Sequence, residues 1–386
     1  MPVQAQKLLP RSDRELARTS NLKTIEDVVR LSKDPTSGFD YLRIVLAVSV
    51  IAWHAFPISY GPDATQTIQG TPVGNLVSLI LPVFFALSGF LVASSLLRVP
   101  SLVTFIGLRA LRIVPALAVE ICLSALVLGP LVTTVPLADY YGSSEFAVYF
   151  ANIVGRIHYT LPGVFTTNPY TWVVNGSLWT VPYELECYVA LAILCVLGLA
   201  KKPRPMLVAF LVASAGFFVF ARYRGMIPLS EVGLPGRMLI LFFLAGVLLR
   251  VGSAFAPFHP LVFLVAAVFS LMTFSTPALV YLSPLPVAYV TVYLGLQRPP
   301  RLPLLFTGDY SYGLYLYAFP LQQLTAYLLP TQRHWYVNLP VSLVLAFVFA
   351  VFSWHVVEKR CLALRRYLTP TRASLPSLAV PAAARP

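Results

Sequence analysis

Apolar runs of membrane-crossing length recur along almost the whole chain, leaving no stretch from which a water-soluble core could be built. A helix needs about 20 mostly apolar residues to cross a bilayer. Segments near 40–58, 74–97, 113–131, 177–200, 206–221, 235–249, 260–274, 277–296, 310–329 and 339–357 meet or approach that requirement. Only 11% of the 386 residues are charged, against about 25% in a soluble domain. The fold class expected is therefore all-α: a polytopic integral membrane protein of about ten transmembrane helices. Residues 1–37 are polar and basic, and 368–386 are rich in Pro and Ala. The chain thus divides into an N-terminal tail (1–37), a membrane domain (38–358) and a C-terminal tail (359–386) expected to be disordered.

The net charge of +13 would suit nucleic acid if it were gathered on a compact domain. It is instead spread over the connections between apolar runs. With the N-terminus inside, 23 of the 28 Lys and Arg fall on cytoplasmic segments. Only Arg156, Arg222, Arg224, Arg237 and Arg333 fall outside. Membrane proteins keep their cations in cytoplasmic loops, so both termini are expected in the cytoplasm, in a multi-pass protein of the inner (plasma) membrane. Nucleic acid is not an expected partner. The first apolar run starts only near Tyr41, after a long charged stretch, unlike a cleavable signal peptide. Cys122, Cys187, Cys195 and Cys361 form no CxxC or Cys/His pattern, so neither a disulfide frame nor a metal is expected.

Titratable groups inside a membrane are costly and mark function by default. The first span reads FDYLRIVLAVSVIAWHAF. Arg43 and His54 are eleven residues apart, which puts them about 20° from alignment and about 16 Å apart along one helix face. One face thus carries a cation at the cytoplasmic boundary and an imidazole in the outer half of the bilayer. The alternatives are a snorkelling arginine and a packed histidine bonded to a carbonyl. Glu184 lies roughly 11 Å from the outer end of the fourth span and His54 three or four residues from the outer end of its own, so both belong to the outer half of the membrane. A buried imidazole near a carboxylate is a candidate general base with an orienting partner; the alternative is a helix–helix hydrogen bond. Glu186 lies 200° round from Glu184 and cannot share its pocket. Arg109 and Arg112 are spaced i,i+3 at the cytoplasmic edge of the third span. Paired guanidiniums suit phosphate oxygens, and they also suit a positive-inside anchor. Glu120, deeper in that helix, is available to pair with another charge. Asp309 reads as a helix cap and Glu358 as structural. The outer segment 132–176 carries Tyr140, Tyr141, Tyr149, Tyr159, Tyr170 and Trp172, which suit either sugar rings or an interfacial aromatic belt.

Five phrases in order resemble one family. They are Arg43–ten residues–His54, FFALSGFL at 84–91, RALRIVP at 109–115, Leu178-Trp179 with Glu184 and Tyr188, and SYGLYLY at 311–317. Together they make residues 39–360 similar to the acyltransferase 3 family, integral membrane acyltransferases of surface polysaccharide, lipopolysaccharide and nodulation factors. Many members have His after the YLY phrase, where this chain has Ala318. The resemblance implies transfer of an acyl group, acetyl first, from cytoplasmic acyl-coenzyme A to a hydroxyl of a cell-surface or lipid-linked glycan. Its partners would be membrane lipid, a carbohydrate acceptor and glycan-assembly proteins. On that reading Arg109, Arg112 and Arg43 hold the donor's phosphates, His54 acts as general base or carries the acyl group, and Glu184 orients it. A transporter or flippase for a lipid-linked glycan is the competing class. The HxxxxD, GxSxG and Walker patterns of other acyl- and phosphoryl-transfer enzymes are absent.

Overall fold

The computed structural model describes residues 23–31, 37–68, 70–98, 101–225, 234–303 and 307–368. Among these there is no β-strand, only an isolated bridge between Thr24 and Pro257. Each of the ten apolar segments is helical. The helices are α1 (Ser37–Tyr60), α2 (Ile80–Leu96), α3 (Leu102–Leu123), α4 (Val181–Val196), α5 (Pro203–Tyr223), α6 (Leu239–Val251), α7 (Pro260–Ser275), α8 (Pro284–Gly295), α9 (Ser311–Leu328) and α10 (Trp335–Phe352). Counted with their flanking turns, six are long and apolar enough to cross a membrane: Ser37–Tyr60, Pro72–Leu96, Leu102–Val132, Gly176–Val196, Pro203–Tyr223 and Trp335–Leu368. The boundary between the seventh and eighth segments falls in a 3₁₀ turn, Pro277–Leu282.

Two of the remaining helices lie in the interior, which explains their composition. α6 is short, yet Leu241 to Leu249 are all buried. α9 carries Gln322, Gln323 and Thr325 in mid-helix, all buried against protein rather than lipid. Its polarity therefore costs no lipid contact.

α2 and α6 meet through glycines. An added Cβ on Gly246 would overlap the Ala86 carbonyl oxygen, and one on Gly89 would overlap that of Phe243. Close backbone approach through small residues is a usual way to pack helices in lipid. Gly246→Val is accordingly expected to destabilise by about 1–3 kcal/mol, the usual cost of over-packing. Thermal unfolding in detergent checks this, and an unchanged midpoint would count against so close a crossing.

Several cation-bearing segments gather at one end of the bundle. A short helix, Ile25–Leu31, is capped reciprocally by Thr24 and Asp27. It docks on the turn after α6, with Ile25 N–H donating to Ala256 O at 2.9 Å. Tyr41 Oη donates to Pro300 O at 2.7 Å, and Thr104 Oγ1 donates to Leu368 O at 2.9 Å. The C-terminal segment expected from residue 359 is helical over Lys359–Ala363 and Arg365–Leu368; its remainder lies outside the described residues, as does most of the N-terminal tail.

At the other end, the segment between α3 and α4 folds down into the bundle instead of lying over it. Tyr140, Tyr149, Phe165 and Val174 are fully buried. Tyr140 donates to Ala125 O at 2.7 Å. These two tyrosines belong to the core, so only Tyr141, Tyr159 and Trp172 of the aromatic set are exposed.

Candidate active site

Four helices deliver charge to one place. α1 brings Arg43, α3 brings Arg109 and Arg112 on one face, and α9 is preceded by Asp309. α10 passes into a π-turn, Ser353–Glu358, that carries Glu358 inward. Arg112 Nη2 donates to Asp309 Oδ2 at 2.7 Å and its Nη1 to Glu358 Oε2 at 2.8 Å. Arg43 Nη1 reaches the same Asp309 oxygen at 3.3 Å and Asp40 at 3.8 Å. Asp309 Oδ1 accepts from Ser311 Oγ at 2.8 Å. The carboxylate expected only to cap α9 therefore also joins α1 to α3. Glu358, 2% exposed, is the second counter-charge of Arg112.

Burial alone would push the Asp309 carboxyl up. The guanidiniums of Arg112 and Arg43 and the hydrogen bonds from Ser311 outweigh it and hold the group at about 2. A depressed carboxylate contributes stability that is fully present above its ordinary value of 3.8 and is lost as pH falls through about 2. The Asp309 carboxylate is thus ionised at any physiological pH.

Beside it opens a cavity of about 170 Å³. Arg43, Arg109 and Arg112 line one end, and Glu184, Cys187 and Tyr188 of α4 line one side. Phe84 and Ser88 of α2 and Ser311, Tyr312, Tyr315 and Leu316 of α9 complete it. Three of the arginines singled out in the sequence are therefore brought together with Glu184. They are not equivalent: Arg112 is already neutralised twice over, whereas the Nε of Arg109 is buried with no hydrogen-bond partner among the described residues. Glu184 Oε1 accepts from Tyr188 Oη at 2.5 Å, one helical turn away.

His54 does not line this cavity. Its ring meets Phe319 edge-on at 5.1 Å, and its Nδ1 is buried without a partner among the described residues. No described contact joins it to Glu184, although residue count puts both in the outer half of the membrane. Around His54 the segment 161–175 is tied to α9 by amides that the sequence reading passed over. Asn168 Nδ2 donates to Gln323 O and Oε1, both at 2.9 Å. Gln323 Nε2 donates to Tyr170 O and Val173 O, both at 2.7 Å. Gln322 Nε2 donates to Ile51 O, one turn before His54, at 2.8 Å. Two adjacent glutamines in mid-span were the signal that could have found them.

Other charges settle differently from expectation. Glu120 forms no ion pair among the described residues; its Oε1 accepts from Ser124 Oγ at 2.8 Å and Asn175 Nδ2 at 3.0 Å. A neutral hydrogen-bonded shell serves a fully buried carboxyl there better than a distant cation. Glu186 lies at the surface, 3.7 Å from Arg237. Among the described residues, no group of three or more His, Cys, Asp or Glu is placed to hold a metal ion.

A family model described as an acyltransferase domain matches residues 36–357. Two relatives align along nearly their whole length. The chain is 26% identical to an O-acetyl transferase of Shigella phage Sf6 over 355 residues, 84% of this chain and 95% of that protein. It is 29% identical to nodulation protein 10 of Rhizobium leguminosarum bv. viciae over 373 residues, 88% and 96% of the two chains. No solved structure matches it significantly.

Proposed function

The chain belongs to the acyltransferase family whose domain model spans it, and from that premise we propose that it moves an acyl group, acetyl first, from cytoplasmic acyl-coenzyme A to a hydroxyl of a cell-surface or lipid-linked glycan. The observation that carries the donor half is the arginine-lined cavity that runs up α9 toward the half-buried His54. The planar fork of a guanidinium donates to the charged oxygens of a phosphate. Arg109 is the cation best able to take them, with Arg43 and Arg112 beside it. The apolar walls above suit the thin thioester arm.

In the proposed reaction the acceptor hydroxyl oxygen attacks the thioester carbonyl while His54 removes its proton. The carbon–sulfur bond breaks, and the imidazolium returns that proton to the departing thiolate. The unpartnered Nδ1 of His54 supports this assignment, since no hydrogen bond must be given up. A covalent acyl-histidine is the rival within the same scheme. Glu184 works from the donor side, where it lines the cavity together with Arg109 and Arg112. An orienting role at His54 requires the two to approach across Phe319. One relative's name, O-acetyl transferase, supports acetyl as the group moved and an oxygen as the acceptor atom.

The gathering of the N-terminal helix, the turn after α6, residue 300 and Leu368 at one end supports ten crossings of the inner membrane, with both termini in the cytoplasm. On the same reading residues 38–358 are the membrane domain, flanked by the two tails.

Membranes containing the protein, supplied with radiolabelled acetyl-coenzyme A, test the proposal through label in the glycan and glycolipid fractions. Arg109→Ala is expected to raise the donor KM about tenfold or more, because a charge-assisted hydrogen bond is worth about 1.5–3 kcal/mol. No label with the wild type would sink the transfer reading; an unchanged KM would sink Arg109 as the phosphate ligand.

A further inference from the structure

The cavity stops short of His54, and particular side chains stop it. Its α9 wall climbs one side of the helix through Ser311, Tyr312, Tyr315 and Leu316, and the next residue on that side is Phe319. Tyr315 closes the top. Its hydroxyl lies 2.6 Å from Thr180 Oγ1 and donates to Ser177 O at 3.0 Å. Its ring meets Phe84 edge-on at 6.1 Å. One helical turn higher, about 5 Å, the Phe319 ring fills the space between Gly176 and His54. It would stand 2.6 Å from a Cβ placed on Gly176, and its centroid is 5.1 Å from that of His54. Phe319 is only 2% exposed, with Tyr170 against it at 5.8 Å, so its ring has no open side into which to swing.

Resting on the reading of this cavity as the donor site, we infer that Tyr315 with Thr180, and Phe319 above them, measure the acyl group. A donor held by its phosphates at the arginine end presents its thioester at the Tyr315 end. What remains between there and His54 is about one helical turn, enough for an acetyl-sized group and too little for a fatty chain. Selection is by a wall: each added methylene must displace a ring that is packed on all sides. Tyr315 contributes through a fixed hydroxyl, Phe319 through bulk alone.

The test uses the full chain in lipid nanodiscs and measures binding of coenzyme A, acetyl-coenzyme A and octanoyl-coenzyme A. The quantity read is the affinity of each acyl donor relative to coenzyme A itself, which a general structural defect would not alter. The wild type is expected to bind octanoyl-coenzyme A at least about tenfold more weakly than acetyl-coenzyme A, within the range that pockets achieve by methylene count. Phe319→Ala and Tyr315→Ala are each expected to remove most of that difference. Phe319→Leu, closer in volume, serves if the alanine variant does not fold, and should remove part of it. Equal binding of the two acyl donors by the wild type would overturn the inference. So would a ratio that no variant changes. Failure of the wild type to bind coenzyme A is a separate result: it overturns the donor-site reading, and the acyl ruler with it.

Discussion

Replacing His54 by alanine is expected to stop acyl transfer almost completely while leaving the protein folded. General-base catalysis by a positioned side chain contributes about 10²–10⁴-fold, and in this scheme no neighbour is placed to take over the proton. The fold should survive because His54 is held by packing. Its ring contacts Phe319, and its Nδ1 makes no hydrogen bond that the substitution would break. The readout is incorporation of label from acetyl-coenzyme A, normalised to folded protein in the membrane. Undiminished transfer by the variant would remove His54 from the mechanism. Trapping an acyl-histidine on the wild type would instead replace direct transfer by the covalent route.

Arg112→Ala is expected to act in the opposite way, through stability rather than chemistry. It would strand the 2%-exposed Glu358 without its cation and leave Asp309 with Arg43 alone. Breaking a buried ion pair by removing one partner costs about 3–5 kcal/mol. Asp309 is partly exposed, so the lower end applies, still a large share of a total stability of about 5–15 kcal/mol. A sharp drop in the thermal midpoint in detergent is the expected result, and a midpoint within error of the wild type would show that the knot does not hold the bundle together. Neutralising Arg112 together with both of its counter-charges, with Arg112→Met, Asp309→Asn and Glu358→Gln, should recover much of the loss, because the buried Glu358 charge is gone and Arg43 keeps Asp40. Arg109→Ala removes no described ion pair and should leave the midpoint nearly unchanged. The contrast separates a structural arginine from a ligand-binding one three residues away.

The helices were legible because apolar run length alone decides them, and even short α6 and polar α9 announced themselves as apolar segments. That they are the interior helices was not legible. Burial on all sides is a property of neighbours. The shared face of Arg109 and Arg112 followed from spacing; that Arg43 of another helix lines the same cavity did not, and was expected only from the family resemblance. What neutralises Arg112 did not: Asp309 and Glu358 come from 197 and 246 residues away. Glu184 shows the limit of counting depth. Residue number along a span gives height but no direction round the bundle. Moreover, the segment before α4 is itself buried at Phe165, Asn168 and Asn175, so the helix starts below the outer surface. Counted from there, Glu184 falls among the arginines, where Tyr188 holds it.

The π-turn at the end of α10 sets the direction of Glu358. A single extra residue in an α-helix rotates everything after it by about 100°, and Glu358 is aimed at Arg112 by that rotation. Removing any one residue from 353–357 would swing the carboxylate out of reach without changing a side chain that pairs with Arg112. Alignments across this stretch therefore need to be judged by spacing as well as by identity. A relative that keeps the glutamate but lacks the extra residue would present it to a different neighbour, so the length of the segment is itself part of the site.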